Sequence, residues 1–433
     1  TRLVGSLAPH IGNLSFLSIL NLTRNNLMGS ISVELGRLHR LRYLDLMRNT
    51  FSDAIPTTLG NLTRLVRLRL GYNELSGQIP PGMLIHMHNL KEIVLHQNEL
   101  SGQIPLYLFN NTPSLAVIHL GNISLSGPIP NAVASLSMLE IFSVQHNQLS
   151  GLLPQAMFNM SKLRIMAFEE CGNLTGIIPS NQSFSLPMLQ FFAISGNKFE
   201  GRFSIGLASC QYLQELDLSS NSFADVVPTW LAKLSQLKML ILGSNNLTGF
   251  IPVALSNLTS LNALALDNGN LKGEIPPNLG HLHELWFLNL GRNQLLGKIP
   301  DSLGNLSKLS ILGLSHNQLS GQVPTKLGNI VALNKLLLQN NNLEGNLDFL
   351  LALSKCRQLQ ILDMGSNFFT GVLPSYVGNL STQLDMFIAP DNKLIGGLPL
   401  AISNLSNIGL IDLSHNQFTE PIPESILMLE NLV

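Results

Sequence analysis

The chain is poor in charge and in cysteine and lacks any long apolar run, and each absence removes a class of protein. Only 12% of its 433 residues are charged and the net charge is −1, so there is no electrostatic case for gripping nucleic acid or an anionic membrane. No apolar run reaches the roughly 18 residues of a transmembrane helix, and Thr1-Arg2-Leu3 does not open a signal peptide. This segment is therefore expected neither to target nor to anchor itself, and to make no direct membrane contact. A chain of this length ordinarily suggests two or three domains, but no linker, charge run or low-complexity stretch divides it. The expectation is one elongated domain over 1–433. No Gly-rich phosphate loop, kinase lysine motif, HExxH pattern or metal-spaced His/Cys set is present, so neither cofactor nor metal is expected.

What is there is a period of about 24 residues in the frame LxxLxLxxNxLxGxIP. The asparagine slot holds Asn25, Asn49, Asn73, Asn98, Asn147, Asn197, Asn221, Asn245, Asn293, Asn317, Asn341, Asn367, Asn392 and Asn416, with Ile123, Cys171 and Gly269 as three exceptions. Seventeen register points imply about 17 full repeats, with partial repeats at both ends. In each, a segment such as Leu312-Gly313-Leu314 alternates as a half-buried strand does. One strand of about five residues cannot bury its apolar face alone, so repeats must stack and share one parallel sheet and one core. The fold class is thus an α/β solenoid, a leucine-rich-repeat superhelix with its parallel sheet on the concave face and short helical turns and loops on the convex face. Isolated repeats should not fold.

The slots explain themselves. The asparagine follows the strand, where the chain turns inward and leaves backbone groups without ladder partners, and its amide supplies both a donor and an acceptor. The three exceptions predict local slack. Gly77, Gly102, Gly127, Gly151, Gly176, Gly249, Gly273, Gly297 and Gly321 share one slot, which suggests a conformation costly for residues with a β-carbon. Asp53, Asp225 and Glu420 replace it, the glutamate being the least expected. Prolines such as Pro80, Pro105 and Pro300 end a short strand and start a tight helical turn. Cys210 and Cys356 lie six repeats apart, roughly 29 Å at about 4.8 Å per strand, far beyond the ~7 Å that a disulfide spans. Cys171 occupies a different slot, so all three should be free, buried thiols.

The frame also disposes of apparent catalytic pairs. Ser315-His316 and Ser414-His415 occupy the same two variable positions before the asparagine, and Asp45, Asp217, Asp363 and Asp412 share one strand column. No catalytic residue is expected. Exposed strand positions, free of core duty, are where specificity belongs. Near the start, Arg24, Tyr43, Arg48, Arg67, Arg69 and Tyr72 gather cations and aromatics, a patch suited to a carboxylate or a sulfated tyrosine on a peptide. Next, Val117, Ile141, Ile165 and Phe191 line one column beside His96, His119 and His146, an apolar strip that invites a partner. Against this, exposed arginines and tyrosines are usually just solvated, and β-branched residues in strands often reflect propensity alone.

Thirteen N-x-S/T sequons begin at Asn13, Asn21, Asn61, Asn110, Asn122, Asn159, Asn173, Asn181, Asn246, Asn257, Asn305, Asn379 and Asn404. GNLS and GNLT are repeat consensus and account for Asn13, Asn61, Asn305 and Asn379. Several of the others lie outside it, so glycosylation at a subset is expected, with passage through the secretory pathway.

The frame NxLxGxIPxxLGNLxxLxxLxL, written almost whole from Asn293 to Leu314, resembles the plant class of extracellular leucine-rich repeats. The stretch NLEGNLDFLLALSKCRQL from Asn342 to Leu359, followed by GVLPSYVGNLSTQL, resembles ectodomains of plant receptor-like serine/threonine kinase subfamily XII, which contains immune receptors for microbial peptides. The resemblance spans the whole chain. It implies an extracellular sensor of a peptide or protein ligand on a single-pass plasma-membrane receptor, with a co-receptor kinase as a further partner. It also implies terminal caps, a transmembrane helix and a kinase, none of which lies in this segment; both ends are expected to expose core, as a fragment would. The alternative is a receptor-like protein, or a secreted cell-wall inhibitor, without a kinase.

Overall fold

The computed structural model describes residues 2–180 and 184–432, which form a leucine-rich-repeat solenoid of parallel strands. Compact units meet in sequence at Ser222 and Phe223, inside a repeat and with no linker, and each is described by itself.

In the first unit the main sheet is built from three-residue strands, shorter than the five expected, running from Ile19–Asn21 through Tyr43–Asp45, Arg67–Arg69 and Glu92–Val94 to Glu215–Asp217. Each pairs in parallel with the strand one repeat away, so that Tyr43 lies beside Arg67 and Val117 beside Ile141. The middle residue of each strand is apolar and buried, while the flanking two face outward. A second, lateral set of short parallel strands follows the asparagine slot, such as Gln148–Leu152 paired with Asn173–Gly176. The single sheet expected from sequence is therefore accompanied by a second one. Phenylalanines replace leucine in part of this core, with Phe142 and Phe168 edge to face at 5.4 Å.

The second unit repeats the plan. Its main strands run from Met239–Ile241 to Leu410–Asp412, each in register with the next, and its lateral strands run from Lys272–Glu274 to Gln417–Phe418. The return segments are mostly single 3-10 turns. Asp301–Asn305, for instance, follows Pro300 at φ −67° and closes with Leu306 N–H donating to Leu303 O. Phe349–Leu353 is instead a short α-helix, in the repeat that carries the longer NLEGNLDFLLALSKCRQL insert.

All fourteen ladder asparagines accept, through Oδ1, the backbone N–H of a residue in the preceding repeat. In the repeat of Asn317, Leu295 N–H donates to Oδ1 at 3.0 Å, while Nδ2 donates to Leu290 O at 3.0 Å and Leu314 O at 3.1 Å. One side chain thus staples two repeats. At the exceptions the strand register continues: Ile165–Ala167 pairs on both sides, and so does Ala263–Ala265. The Cys171 thiol takes over part of the donor role, with Sγ 3.5 Å from Val144 O. Cys171, Cys210 and Cys356 are free and buried.

The glycine slot is left-handed, as at Gly321 with φ 75°, and Asp53 adopts the same conformation at φ 64°. Asp225 and Glu420 do not, so the slot takes a different backbone conformation in those two repeats. A second left-handed column, with no signature in the repeat frame, stands immediately before the asparagine. Arg24 and Arg48 at φ 57° and Tyr72 at φ 56° belong to it, as do His316 and Asn340. Such a residue costs about 1–2 kcal/mol, and the column persists at Asn122, Glu170 and Asn268, where no asparagine follows.

Candidate functional site

The first unit brings the cationic patch together as two clusters at opposite ends of the strands. At the strand starts, Arg67 stacks on Tyr43 at 5.5 Å, and both Arg67 and Arg69 reach Glu92, Nε to carboxylate, at 3.2 and 2.7 Å. Arg69 also lies 3.7 Å from Asp45. Hydrogen bonding to Glu92 is the main reason the Arg69 guanidinium titrates above its usual range. An open recess of about 420 Å³ lies here, lined by Ile19, Asn21, Tyr43, Asp45, Arg67 and Arg69 among others. Of the expected free cations, Arg67 and Arg69 are thus already held by carboxylates. Glu92 shares the strand slot of Arg67 and Val117, so the repeat frame alone makes it their neighbour; its bond to Arg69, across columns, is what the frame does not give.

At the turn after the strands, Arg48 covers the Tyr72 ring at 4.3 Å, Tyr72 meets His96 edge to face at 4.9 Å, and His96 meets His119 at 5.8 Å. Burial, then His119 and Arg48, lowers the His96 pKa to about 4, and its Nδ1 has no hydrogen-bond partner. Burial likewise lowers His119. Both rings are neutral at ordinary pH and extend the aromatic row. Arg24 forms no ion pair with these groups among the described residues.

Val117, Ile141, Ile165 and Phe191 are direct register neighbours, all half-buried. Beside them the next outward column is small and buried, with Ser143, Ala167 and Ala193 at 2%, 5% and 1% exposure. Four side chains therefore overlook a shallow floor. His119 continues that floor column at one end and Asp217 at the other, while His146 stands in the turn column.

The sequon asparagines Asn13, Asn21, Asn61, Asn110, Asn122, Asn159, Asn173, Asn246, Asn257, Asn305, Asn379 and Asn404 are all exposed, and Asn181 lies outside the described residues. Asn21 and Asn122 are on or beside the main strand face. Among the described residues no cluster of His, Cys, Asp and Glu is arranged to hold a metal, and no helix is long and apolar enough to cross a membrane.

Leucine rich repeat family models match residues 39–100 and 211–271, and again 284–306, 308–330, 358–380 and 407–429. The chain is similar to the receptor kinase-like protein Xa21 of Oryza sativa subsp. japonica, 45% identical over 62 residues, a match of 14% of this chain and 6% of that protein. Among solved structures it is similar to the plant peptide hormone receptor RGFR1 in complex with RGF2, at 33% identity and a TM-score of 0.84 over 99% of this chain and 72% of that one. It is also similar to the Arabidopsis receptor kinase HAESA in complex with the peptide hormone IDA and the co-receptor SERK1, at 29% identity and a TM-score of 0.84 over 100% and 76%. With the repeat frame, the strand registers and this coverage agreeing, the chain belongs to the family of plant leucine-rich-repeat receptor ectodomains.

Proposed function

We propose that this chain is the extracellular, ligand-sensing region of a plant membrane receptor kinase, and that it reads an extended peptide on the main strand face of its first unit. The observation that carries the reading is the continuous face from Tyr43 to Phe191, where charged and aromatic groups give way to a four-residue apolar strip in strict register. Backbone groups there are consumed by the sheet, so specificity falls to these side chains. The relatives HAESA and RGFR1 supply a precedent, being solved with peptide hormones and, for HAESA, a co-receptor kinase. By that analogy peptide binding recruits a co-receptor and activates a distant kinase, the chain itself performing no chemistry.

The NLEGNLDFLLALSKCRQL stretch, by its resemblance to subfamily XII ectodomains, favours such a receptor and an immune role over a developmental one. The exposed sequons favour a glycoprotein. The receptor-like protein without a kinase is the second reading. Sequence beyond Val433 separates the two, since a transmembrane helix with kinase motifs selects the first and a stop codon the second.

The binding reading is tested with peptides selected on the immobilised chain from a random displayed library. Binding should fall with Arg67→Glu/Arg69→Glu or with Ile141→Glu/Ile165→Glu, and persist when exposed residues of the return turns are changed. Retention by both strand-face variants overturns the reading.

A further inference from the structure

We infer that the apolar strip seats a ligand segment in which an apolar run adjoins a lysine or arginine, the cation lying against the carboxylates of Glu169, Glu215 and Asp217. This rests on the peptide-binding reading above and narrows it to one ligand chemistry.

The strip is bounded by charge at both ends, and the two ends differ. Val117 is in register with Glu92, whose carboxylate is already occupied by Arg67 and Arg69. At the other end Phe191 is in register with Glu215, and Ala193 with Asp217. Glu169 stands two positions beyond the floor residue Ala167, one oxygen buried without a hydrogen-bond partner. Among the described residues none of Glu169, Glu170, Glu215 and Asp217 forms an ion pair; Asp217 accepts only from the Ser219 backbone and hydroxyl. Arg164, on the preceding strand segment, is turned toward Glu140 and Gln190.

The strain of that arrangement shows in its titration. Glu169 is pushed up to about 7, first by burial and then by Asp217, Glu215 and Glu170, and Glu215 is raised by burial and by Asp217. A cation delivered beside Phe191 offsets the repulsion among these carboxylates. A lysine or arginine stem packs on the half-buried Phe191 ring while its head reaches the carboxylates. An acidic ligand meets repulsion at this end, while at the other Arg67 and Arg69 are already held by Glu92. Four strands at about 4.8 Å leave roughly 14 Å, the reach of four or five extended residues, so the basic residue should adjoin the apolar run directly.

The test pans a displayed library of random peptides, about twelve residues long, long enough to cross the strip, against three forms of the full chain. These are the unaltered chain, Glu169→Gln/Glu215→Gln/Asp217→Asn, and Ile141→Glu/Ile165→Glu. Expected are pools on the unaltered chain enriched in lysine or arginine within two positions of an apolar run, whose members weaken roughly tenfold on the carboxamide variant. Binders lost on the Ile141/Ile165 variant but without basic enrichment, and unchanged on the carboxamide variant, overturn this inference and leave the peptide-binding reading standing. Pools that bind all three forms alike overturn this inference, and overturn the peptide-binding reading as well if they also bind Arg67→Glu/Arg69→Glu. Circular dichroism checks folding, and Glu215→Gln alone replaces the triple variant if that variant does not fold.

Discussion

Restoring the missing staple at Gly269 should stabilise the second unit. In the adjoining repeats Asn293 Oδ1 accepts Leu271 N–H and Asn245 Oδ1 accepts Phe223 N–H. The equivalent donor opposite Gly269 is the N–H of Leu247, a fully buried residue, for which no acceptor is found among the described residues. The carbonyls that an introduced Nδ2 would reach, Leu242 O and Leu266 O, already receive Asn245 and Asn293. The gain in Gly269→Asn is therefore mainly one satisfied donor, about 1–3 kcal/mol, plus about 0.5 kcal/mol for removing a glycine from the unfolded chain. Against it stand about 1 kcal/mol of side-chain entropy and a close approach, since the new Cβ lies 3.1 Å from Asn293 Oδ1. Gly269 is not in the left-handed region, so no backbone strain opposes the change.

The net is a stabilisation of about 0.5–2.5 kcal/mol by these terms. Because solenoids lose structure repeat by repeat, a local probe is the right one. Hydrogen exchange at the Leu247 amide should slow about tenfold in the variant. The reciprocal change Asn317→Gly should speed exchange at Leu295, whose N–H it orphans. Unaltered or faster exchange at Leu247 in a folded Gly269→Asn variant would refute the staple argument.

The remaining predictions concern titration, thiols and glycans. Glu169 is raised when folded, so the folded state binds its proton more tightly, and this group's contribution falls as pH rises from about 4.5 to about 7. Glu169→Gln should accordingly raise the melting temperature at pH 8 and leave it nearly unchanged at pH 4; a pH-independent difference would argue against the burial effect. Burial pushes the Cys171 and Cys210 thiols up to about 12 and Cys356 to about 11, so a thiol reagent at pH 8 should leave the native chain unmodified and label all three cysteines after unfolding. Labelling of the native chain within minutes would contradict their burial. Secreted material should lose mass on glycosidase treatment, and an unchanged intact mass would remove the glycoprotein reading.

The repeat frame made the fold legible without coordinates, because a strand too short to bury its own face has only stacking as a solution and the asparagine marks where each stack is stapled. The cysteines, the proline-initiated turns and the adjacency of Val117, Ile141, Ile165 and Phe191 followed from period alone, since equal slots in successive repeats become neighbours. Period says nothing of which long side chains find one another across columns. Only the tertiary structure bonded Glu92 to Arg69 as well as to Arg67, paired those two cations of the patch with carboxylates, and gathered Glu169, Glu215 and Asp217 with no ion pair among the described residues. Those outcomes depend on rotamers, burial and through-space charge rather than on slot identity. The sequence by itself thus determined the scaffold and the face that is free of core duty; the folded arrangement decided which charges on that face are paired.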